Sequence, residues 1–416
     1  MKPVKIVIAG AGGRGQGYAR YVAEHTDDAQ VAGVAEPIDY RRRVVADAHH
    51  IPPGHVFTDW KDMARVPKFA DAVLICTQDA MHAEPAVAFA KKGYHLLLEK
   101  PMAPTADDCK RIVRAVKKAG VIFAVCHVLR YTRYTQQLKA LVTSGAVGEV
   151  MSLDHLEPVG YWHQAHAFVR GHWRNETESS PMLLSKSCHD LDWIRYILGT
   201  RCTSVSSFGS LRHFRRDQKP KGAGKRCTQC KVEPTCPYST LKIYLRDRFE
   251  KGATGWPVGT LVDGEVTREK LTKALRTGPY GRCVYACDND VVDHQVVNML
   301  FENEATASFT MTAFNRARSR ETRIFGTRGE LFGNGSVIRH FDFLTDETKE
   351  IDTRASAGDI TGGHGGGDEG LMHGFIEAVA AGDATKVLSG PDETLETHLM
   401  VFAAEEARRK NRVVNL

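Results

Sequence analysis

VKIVIAGAGGRG, residues 4–15, is the stretch that decides the fold of this chain. Its first half, Val4–Ala9, is a nearly continuous apolar run rich in Val and Ile, which is typical of a buried parallel strand. Gly10, Gly12 and Gly15 follow at once, and the residues after them have helical spacing. The sequence therefore predicts a strand, a glycine turn and a helix.

The glycine turn has the spacing of a dinucleotide-binding motif. Gly10 permits a tight turn, Gly12 lets the backbone approach a pyrophosphate, and Gly15 lets the helix pack closely on the strand. The start of the helix then offers free N–H groups to the phosphates. A second predicted strand, Gln30–Ala35, ends at Glu36, whose carboxylate can accept hydrogen bonds from a ribose diol. We therefore expect a βαβ unit that binds a dinucleotide.

Glu36 also bears on the choice between NAD and NADP. A carboxylate at this position repels a 2′-phosphate, which favours NAD. Arg41, Arg42 and Arg43 follow closely and could attract the same phosphate. We expect NAD, with NADP as the alternative.

Two further strand ends carry polar residues. The apolar run Ala70–Cys76 ends in Thr77 and Gln78, and His82 follows shortly after. The next predicted strand, Tyr94–Leu98, ends in Glu99, Lys100 and Pro101. Ligands of open parallel sheets bind at the carboxyl ends of the strands, so this edge is where we expect chemistry.

The composition excludes several classes of protein. The chain has 416 residues, 42% of them apolar and 25% charged, as in globular proteins of two or three domains. The first apolar run ends too early for a signal peptide and none is long enough for a membrane span, so we expect a cytoplasmic protein that does not bind membranes. The net charge of +6 favours acidic small molecules mildly and nucleic acid only weakly, so no nucleic-acid partner is expected.

Several longer stretches resemble one known family. They are ADAVLICTQDAMHAEPA (70–86), HLLLEKPMAPT (95–105), CHVLRY (126–131) and SKSCHDLDWI (185–194). With the glycine motif, they resemble the glucose–fructose oxidoreductase/inositol dehydrogenase/MocA family. The resemblance implies an α/β fold with a Rossmann domain, residues 1–127, and a second α/β domain, residues 128–416, whose open, largely antiparallel sheet mediates homodimers or homotetramers. It also implies NAD or NADP chemistry on sugars, polyols or glycosides.

The resemblance assigns roles to individual residues. Lys100 matches the active-site lysine of the family and His189 its usual catalytic histidine. Four residues before that histidine the family has an aspartate where this chain has Ser185, so Lys186, Asp190 or Asp192 would have to replace it. We expect the cofactor to contact the strand-end and glycine-loop residues Gly10, Gly12, Gly13, Arg14, Gly15, Glu36, Thr77, Gln78, His82, Glu99 and Lys100.

The segment Tyr161–Arg174 mixes aromatic residues with His and Arg. Ring faces stack on the CH groups of sugars and guanidinium groups bind oxyanions, so Arg170, Trp173 and Arg174 could receive a carboxylate, phosphate or sulfonate of the substrate. A tryptophan loop packed at a subunit contact is the alternative. The expected substrate contacts are His127, Arg130, Tyr161, His163, His166, Arg170, Trp173, Arg174 and, in the glycine-rich loop 362–367, His364.

A cysteine-rich insertion occupies residues 210–290. Cys227, Cys230 and Cys236 lie close together, and Cys283 or Cys287 could complete a set of four thiolates. Because no secretory signal is expected, a structural zinc site and packed, reduced cysteines are the two interpretations.

These observations support three functions. The leading hypothesis is an NAD-dependent oxidoreductase that removes a hydride from a hydroxyl-bearing carbon of a sugar, polyol or glycoside. The second is a glycosidase of the same family, in which NAD oxidises the sugar transiently, the substituent leaves, water adds and the hydride returns. The third is an NAD-binding regulator without catalysis.

Overall fold

The first third of the chain builds a parallel sheet. The computed structural model describes residues 2–354 and 365–416. Six parallel strands lie in the order β3-β2-β1-β4-β5-β6, the arrangement of a dinucleotide-binding Rossmann sheet. They are β1 Val4–Ala9, β2 Ala29–Ala35, β3 Val56–Phe57, β4 Ala72–Ile75, β5 His95–Leu98 and β6 Phe123–Val125.

The predicted βαβ unit is present because its strand is apolar on both faces. Every residue of β1 except Lys5 is buried, and Ile8 pairs with Val34 on one side and Leu74 on the other. Helices cover both faces of the sheet, as a parallel sheet requires. They are α1 Gly13–Glu24, α2 Asp39–Ala48, α3 Trp60–Arg65, α4 Ala83–Lys91 and α5 Ala106–Ala119.

The second sheet has nine strands in the order β14-β13-β12-β11-β7-β10-β9-β8-β15. Its pairs are antiparallel apart from β7 with β10, so the predicted α/β fold with a largely antiparallel second sheet is confirmed. The strands are β7 Val150–Pro158, β8 Cys202–Ser210, β9 His294–Phe301, β10 Thr306–Thr312, β11 Glu321–Gly326, β12 Gly329–Gly333, β13 Val337–Asp342, β14 Glu347–Asp352 and β15 Val414–Asn415.

The remaining helices lie between and beside the two sheets. They are α6 Arg133–Thr143, α7 Tyr161–His163, a π-helix Gln164–Arg170, α8 Met182–Ser185, α9 Cys188–Leu198, α10 Arg268–Thr277, α11 Gly367–Ala381 and α12 Pro391–Lys410. Leu371 and Phe375 of α11 belong to the same apolar core as Ile6 and Ile8 of β1. The helix α11 therefore packs back on the first sheet.

The cysteine-rich insertion lies between β8 and β9 and packs around its own small core. Phe214, Tyr238 and Tyr285 are buried there against Val169 of the π-helix. The insertion also reaches the first sheet, because Asp263 forms an ion pair with Arg41 of α2 at 3.0 Å. Within the described ranges, no helix combines the length and apolar character that crossing a bilayer demands.

Candidate functional site

The glycine loop at the end of β1 has the shape of a pyrophosphate cradle. Gly10 has φ +97°, and a Cβ there would lie 2.6 Å from the carbonyl oxygen of Cys76. A Cβ on Gly15 would lie 2.0 Å from the carbonyl oxygen of Gly10, so neither glycine can be replaced without moving the backbone. Apart from Gly12 and its two neighbours in the chain, no heavy atom of the described residues lies within 4 Å of the position that a Cβ on Gly12 would take. That space, above the first N–H groups of α1, fits a dinucleotide phosphate.

The Glu36 carboxylate is held in place by two backbone N–H groups. Its two carboxylate oxygens accept hydrogen bonds from the N–H groups of Ala11 at 2.8 Å and Ile38 at 2.9 Å. The neighbouring arginines are paired with carboxylates: Arg41 with Asp263, and Arg42 and Arg43 both with Asp39 at 2.8 and 2.7 Å. These ion pairs reduce the attraction that the three guanidinium groups would exert on a 2′-phosphate.

Thr77 and His82 occupy the edge of the sheet at the end of β4. The hydroxyl oxygen of Thr77 is buried and makes no hydrogen bond within the described residues, as expected of a group that contacts the bound dinucleotide. The His82 ring is buried, with Nδ1 2.7 Å from the Pro101 carbonyl oxygen and Nε2 3.0 Å from that of Thr77. His82 therefore ties two strand ends together, whereas Gln78 is exposed.

Glu99 joins the glycine loop to the end of β5. Its carboxylate accepts hydrogen bonds from Arg14 Nε at 2.6 Å and from the Tyr18 hydroxyl at 2.7 Å. Although burial opposes ionisation, the Arg14 guanidinium holds the pKa of Glu99 below its usual value. Arg14 also pairs with Asp368 at the start of α11, so Arg14 and Glu99 form part of the scaffold that fixes the cradle.

The Lys100 side chain extends from the end of β5 to residues of the second domain. Its Nζ donates a hydrogen bond to the carbonyl oxygen of Ser185 at 2.6 Å and lies 5.8 Å from the centre of the Trp173 ring. Trp173 Nε1 in turn donates to Asp79 at 3.2 Å. Ser185 is the last residue of α8, immediately before the turn into α9, where His189 is the second residue. The lysine and the histidine predicted from the sequence therefore approach the same turn.

Behind His189 lies a buried histidine and a carboxylate. The His127 ring packs edge-on against the His189 ring with centroids 5.6 Å apart. Nε2 of His127 is 3.6 Å from Asp192, which also receives two hydrogen bonds from Arg130, both of 2.8 Å. Of the possible replacements for the missing aspartate, Asp192 lies on the far side of the His127 ring from His189, at 3.6 Å from His127, whereas Asp190 pairs with Arg320.

The structure corrects the expected substrate contacts of His127 and Arg130. Both residues are fully buried, with relative exposures of 0%. Besides Asp192, the Arg130 guanidinium binds the Leu388 carbonyl oxygen at 2.5 Å and Glu393 at 2.6 Å. The sequence motif CHVLRY therefore contributes to the interior below the site.

Most of the segment Tyr161–Arg174 faces the insertion, which corrects further substrate contacts. Arg170 donates to the carbonyl oxygens of Arg282 and Tyr238, both at 2.8 Å. His166 is a hydrogen-bond partner of Tyr244 at 2.8 Å, and Arg174 pairs with Asp288 at 2.8 Å. Arg170 is buried, with a relative exposure of 1%, so it does not form the expected anion site, whereas the role of Arg174 stays a prediction. Tyr161, His163 and Trp173 remain partly exposed, and His364 lies outside the described residues.

Two buried histidines make stability depend on pH. Burial lowers the pKa of His127 and of His166 to about 3. Each histidine takes up a proton near pH 6.5 when unfolded, whereas its folded form does so only near pH 3. The unfolded state therefore binds more protons between these values, and stability falls as pH falls through this window, by about 1.4 kcal/mol per pH unit and histidine.

Urea unfolding at pH 7, 6 and 5 checks this prediction. We expect the free energy of unfolding of His166→Gln to depend less steeply on pH than that of wild type, and the difference should correspond to one proton. The exposed His50 provides the control, because His50→Gln should leave the slope unchanged. Equal slopes in wild type and His166→Gln would contradict the prediction.

The predicted zinc tetrad is not formed. Cys227, Cys230, Cys236 and Cys283 all line one cavity of about 180 Å³, next to Arg170. Within residues 2–354 and 365–416, however, no three His, Cys, Asp or Glu side chains are grouped so that they could hold a metal ion. Cys287 instead donates to the carbonyl oxygen of Cys283, and burial raises the pKa of the Cys236 and Cys283 thiols. The described cysteines are free thiols.

Three residues at the cleft were missed by the sequence analysis. Trp256 of the insertion is 55% exposed, and its ring centre lies 4.9 Å from that of His163. Glu157 at the end of β7 and Arg320 before β11 form an ion pair of 2.8 Å. No local pattern marks these residues, because only the tertiary fold brings residues 157, 256 and 320 to the cleft.

Both domains of the chain match one known protein family. An oxidoreductase family, GFO_IDH_MocA, matches through its NAD-binding Rossmann fold at residues 4–127 and through its C-terminal alpha/beta domain at residues 139–416. The chain belongs to the Gfo/Idh/MocA oxidoreductase family. The resemblance inferred from the sequence motifs is thereby confirmed.

Individual curated proteins match shorter parts of this chain. The 2,7-anhydro-N-acetylneuraminate hydratase of Escherichia coli K12 is 28% identical over 207 residues, which are 50% of this chain and 53% of that protein. The myo-inositol 2-dehydrogenase of Thermotoga maritima is 30% identical over 143 residues, 34% of this chain and 40% of that protein. The chain thus spans about half the length, or less, of these curated relatives.

Solved structures of Gfo/Idh/MocA type share the whole fold. Levoglucosan dehydrogenase in complex with NADH and levoglucosan has a TM-score of 0.71 at 19% identity, with 99% of both chains covered. The aldose-aldose oxidoreductase of Caulobacter crescentus has a TM-score of 0.68 at 17% identity, with 100% of both chains covered. At these identities the likeness establishes the fold.

Proposed function

We propose that this chain is an NAD-dependent dehydrogenase that oxidises a secondary alcohol of a sugar, polyol or glycoside. The observation that carries the proposal is the approach of Lys100, from the end of β5, to the turn that holds His189. The cradle at Gly12 lies at the carboxyl edge of the same sheet, where dinucleotides bind. Relatives named as inositol and levoglucosan dehydrogenases fit this chemistry.

Alcohol oxidation requires that a hydride and a proton leave the same carbinol. NAD, when bound, supplies the hydride acceptor. His189 takes the hydroxyl proton, for which the ordinary pKa of an imidazole is suitable. The Lys100 ammonium stabilises the alkoxide that develops as the proton leaves. The His127 ring packs against the His189 ring from behind and restricts its position. The C–H and O–H bonds break, and the product is a ketone.

We expect NAD to be preferred over NADP, and Glu36→Gln to weaken that preference. The isosteric amide retains the size of the side chain but loses the charge-assisted hydrogen bonds to the ribose diol, worth about 1.5–3 kcal/mol. The ratio of kcat/KM for NAD to that for NADP should therefore fall by about 10- to 100-fold. Glu24→Gln, at an exposed position of α1, is the matched control. An unchanged ratio in Glu36→Gln would remove Glu36 from cofactor recognition.

A screen of sugars, polyols and glycosides tests the reaction. A dehydrogenase accumulates NADH in proportion to the ketone formed. The glycosidase alternative, which a relative named as a hydratase keeps open, releases the aglycone without net NADH and exchanges the acidic C–H with deuterium from the solvent. A non-catalytic regulator would bind NAD yet turn over no compound of the screen. A cytoplasmic location remains a prediction from the sequence.

We also propose that the open face of the second sheet mediates homo-oligomers. Ser204, Phe208 and Leu300 lie on this face, with Phe208 57% and Leu300 42% exposed. Exposed apolar side chains of this size on a sheet face favour association. Light scattering after gel filtration should show a dimer or tetramer, and Phe208→Lys together with Leu300→Lys should yield monomers. A monomeric wild type would contradict the proposal.

A further inference from the structure

Beside Lys100 lies a network of charged side chains that the dehydrogenase chemistry does not use. Glu157 at the end of β7 lies between Lys186 Nζ at 3.3 Å and Arg320 at 2.8 Å. Arg320 also forms an ion pair with Asp190, which lies 3.3 Å from His155. The network joins the turn before His189 to the strand β11. We propose that Lys186 and Arg320 bind a carboxylate of the substrate, which makes a sugar acid the substrate class of the site.

The negatively and positively charged side chains of this network differ in their exposure to solvent. The Glu157 and Asp190 side chains are 5% and 0% exposed, whereas those of Lys186 and Arg320 are 19% and 20% exposed. The carboxylates therefore form the interior of the network, and its accessible ends are cationic. An anion that enters the cleft meets the two cations before it meets either carboxylate.

Lys100 lies beside the same network, and its Nζ donates a hydrogen bond to the neutral carbonyl group of Ser185. Burial and the neighbouring Lys186 lower the pKa of His163, so this histidine is neutral.

The neighbouring rings suit the uncharged part of a sugar acid. His163 and the exposed Trp256 meet at one wall of this region, and aromatic faces pack well against the CH groups of a pyranose. A carboxylate also matches the spacing of the cations, because the two oxygens of Glu157 already contact Lys186 and Arg320 separately. The arginines that the sequence analysis favoured contact the insertion instead, Arg170 through two carbonyl groups and Arg174 through Asp288.

This inference rests on the proposed function, and matched substrate pairs test it. We would compare kcat/KM with saturating NAD for D-glucose and D-glucuronate, and for D-galactose and D-galacturonate. In at least one pair the acid should be preferred by tenfold or more. Lys186→Gln and the charge-conserving Arg320→Lys should each reduce this preference by about tenfold, the value of one charge-assisted hydrogen bond. Lys110→Gln, on the exposed side of α5, should leave it unchanged.

A binding experiment separates failure of this inference from failure of the proposed function. If no compound is oxidised, the proposed function fails, and calorimetric titration of the NAD-loaded protein with the same four sugars decides the inference. Tighter binding of an acid, weakened in Lys186→Gln, supports it. Equal kcat/KM or equal affinity for acid and neutral sugar in both pairs overturns it. A preference for D-glucose 6-phosphate over both acids also overturns it, because the anion would then be a phosphate.

Discussion

Lys100→Ala is expected to lower kcat by about 1,000-fold while the affinity for NAD changes by no more than a few-fold. The side chain reaches across the cleft to Ser185 and Trp173, so its loss removes a charge from the reacting centre. The cradle around Gly12 does not depend on this side chain. Steady-state kinetics on the best compound of the screen and a fluorescence titration with NAD would measure the two effects.

Two further variants test whether the loss of kcat is specific to the Lys100 side chain. Lys110→Ala, exposed on α5, should retain wild-type kcat. Lys100→Arg keeps the positive charge but not the size of the amine, so it should recover only part of the lost rate. Wild-type turnover in Lys100→Ala would remove this residue from the mechanism, and a parallel loss of NAD binding would place it in the cradle instead.

Arg130→Met should destabilise the protein by about 3–5 kcal/mol. The guanidinium is completely buried and joins Asp192, Glu393 and the Leu388 carbonyl group. Without it, the carboxylate of Asp192 remains buried with Thr397 and His127 as its neighbours, which costs far more than the loss of one surface ion pair. Urea unfolding would measure the change.

Arg133 provides the matched control for this prediction. It lies close in sequence but is exposed, so Arg133→Met should change stability by no more than about 0.5 kcal/mol. If Arg130→Met were as stable as the control, the network below His189 would contribute little to the fold. At a temperature where Arg130→Met is folded, a change in its kcat would then reflect a change in the position of the His189 ring.

The sequence predicted the parts of the site that local chemistry determines. The glycine turn, Glu36 and Lys100 follow β1, β2 and β5, whose carboxyl ends lie at one edge of the parallel sheet. Side chains whose partners lie far away in sequence were not predictable. Arg170 has the chemistry of an anion-binding residue, but the insertion supplies carbonyl groups that occupy it.

The cysteines illustrate a second limit. The spacing of Cys227, Cys230 and Cys236 fits a metal site, and the fold does bring these residues to one cavity with Cys283. Ligation, however, depends on distances between sulfur atoms, which sequence spacing does not determine. Arg320, by contrast, carried no local signal at all, since its role depends on the neighbouring strand that supplies Glu157.

The return of the chain end to the first sheet restricts how this protein can be recombined with its relatives. Leu371 and Phe375 complete the core around β1, and the Ser389 carbonyl group accepts the N–H of Val125 at 3.1 Å. A chimera that joins a foreign nucleotide domain at residue 127 would thus separate one core into two mismatched halves. Successful exchange requires that α11, Gly367–Ala381, travels together with the N-terminal segment.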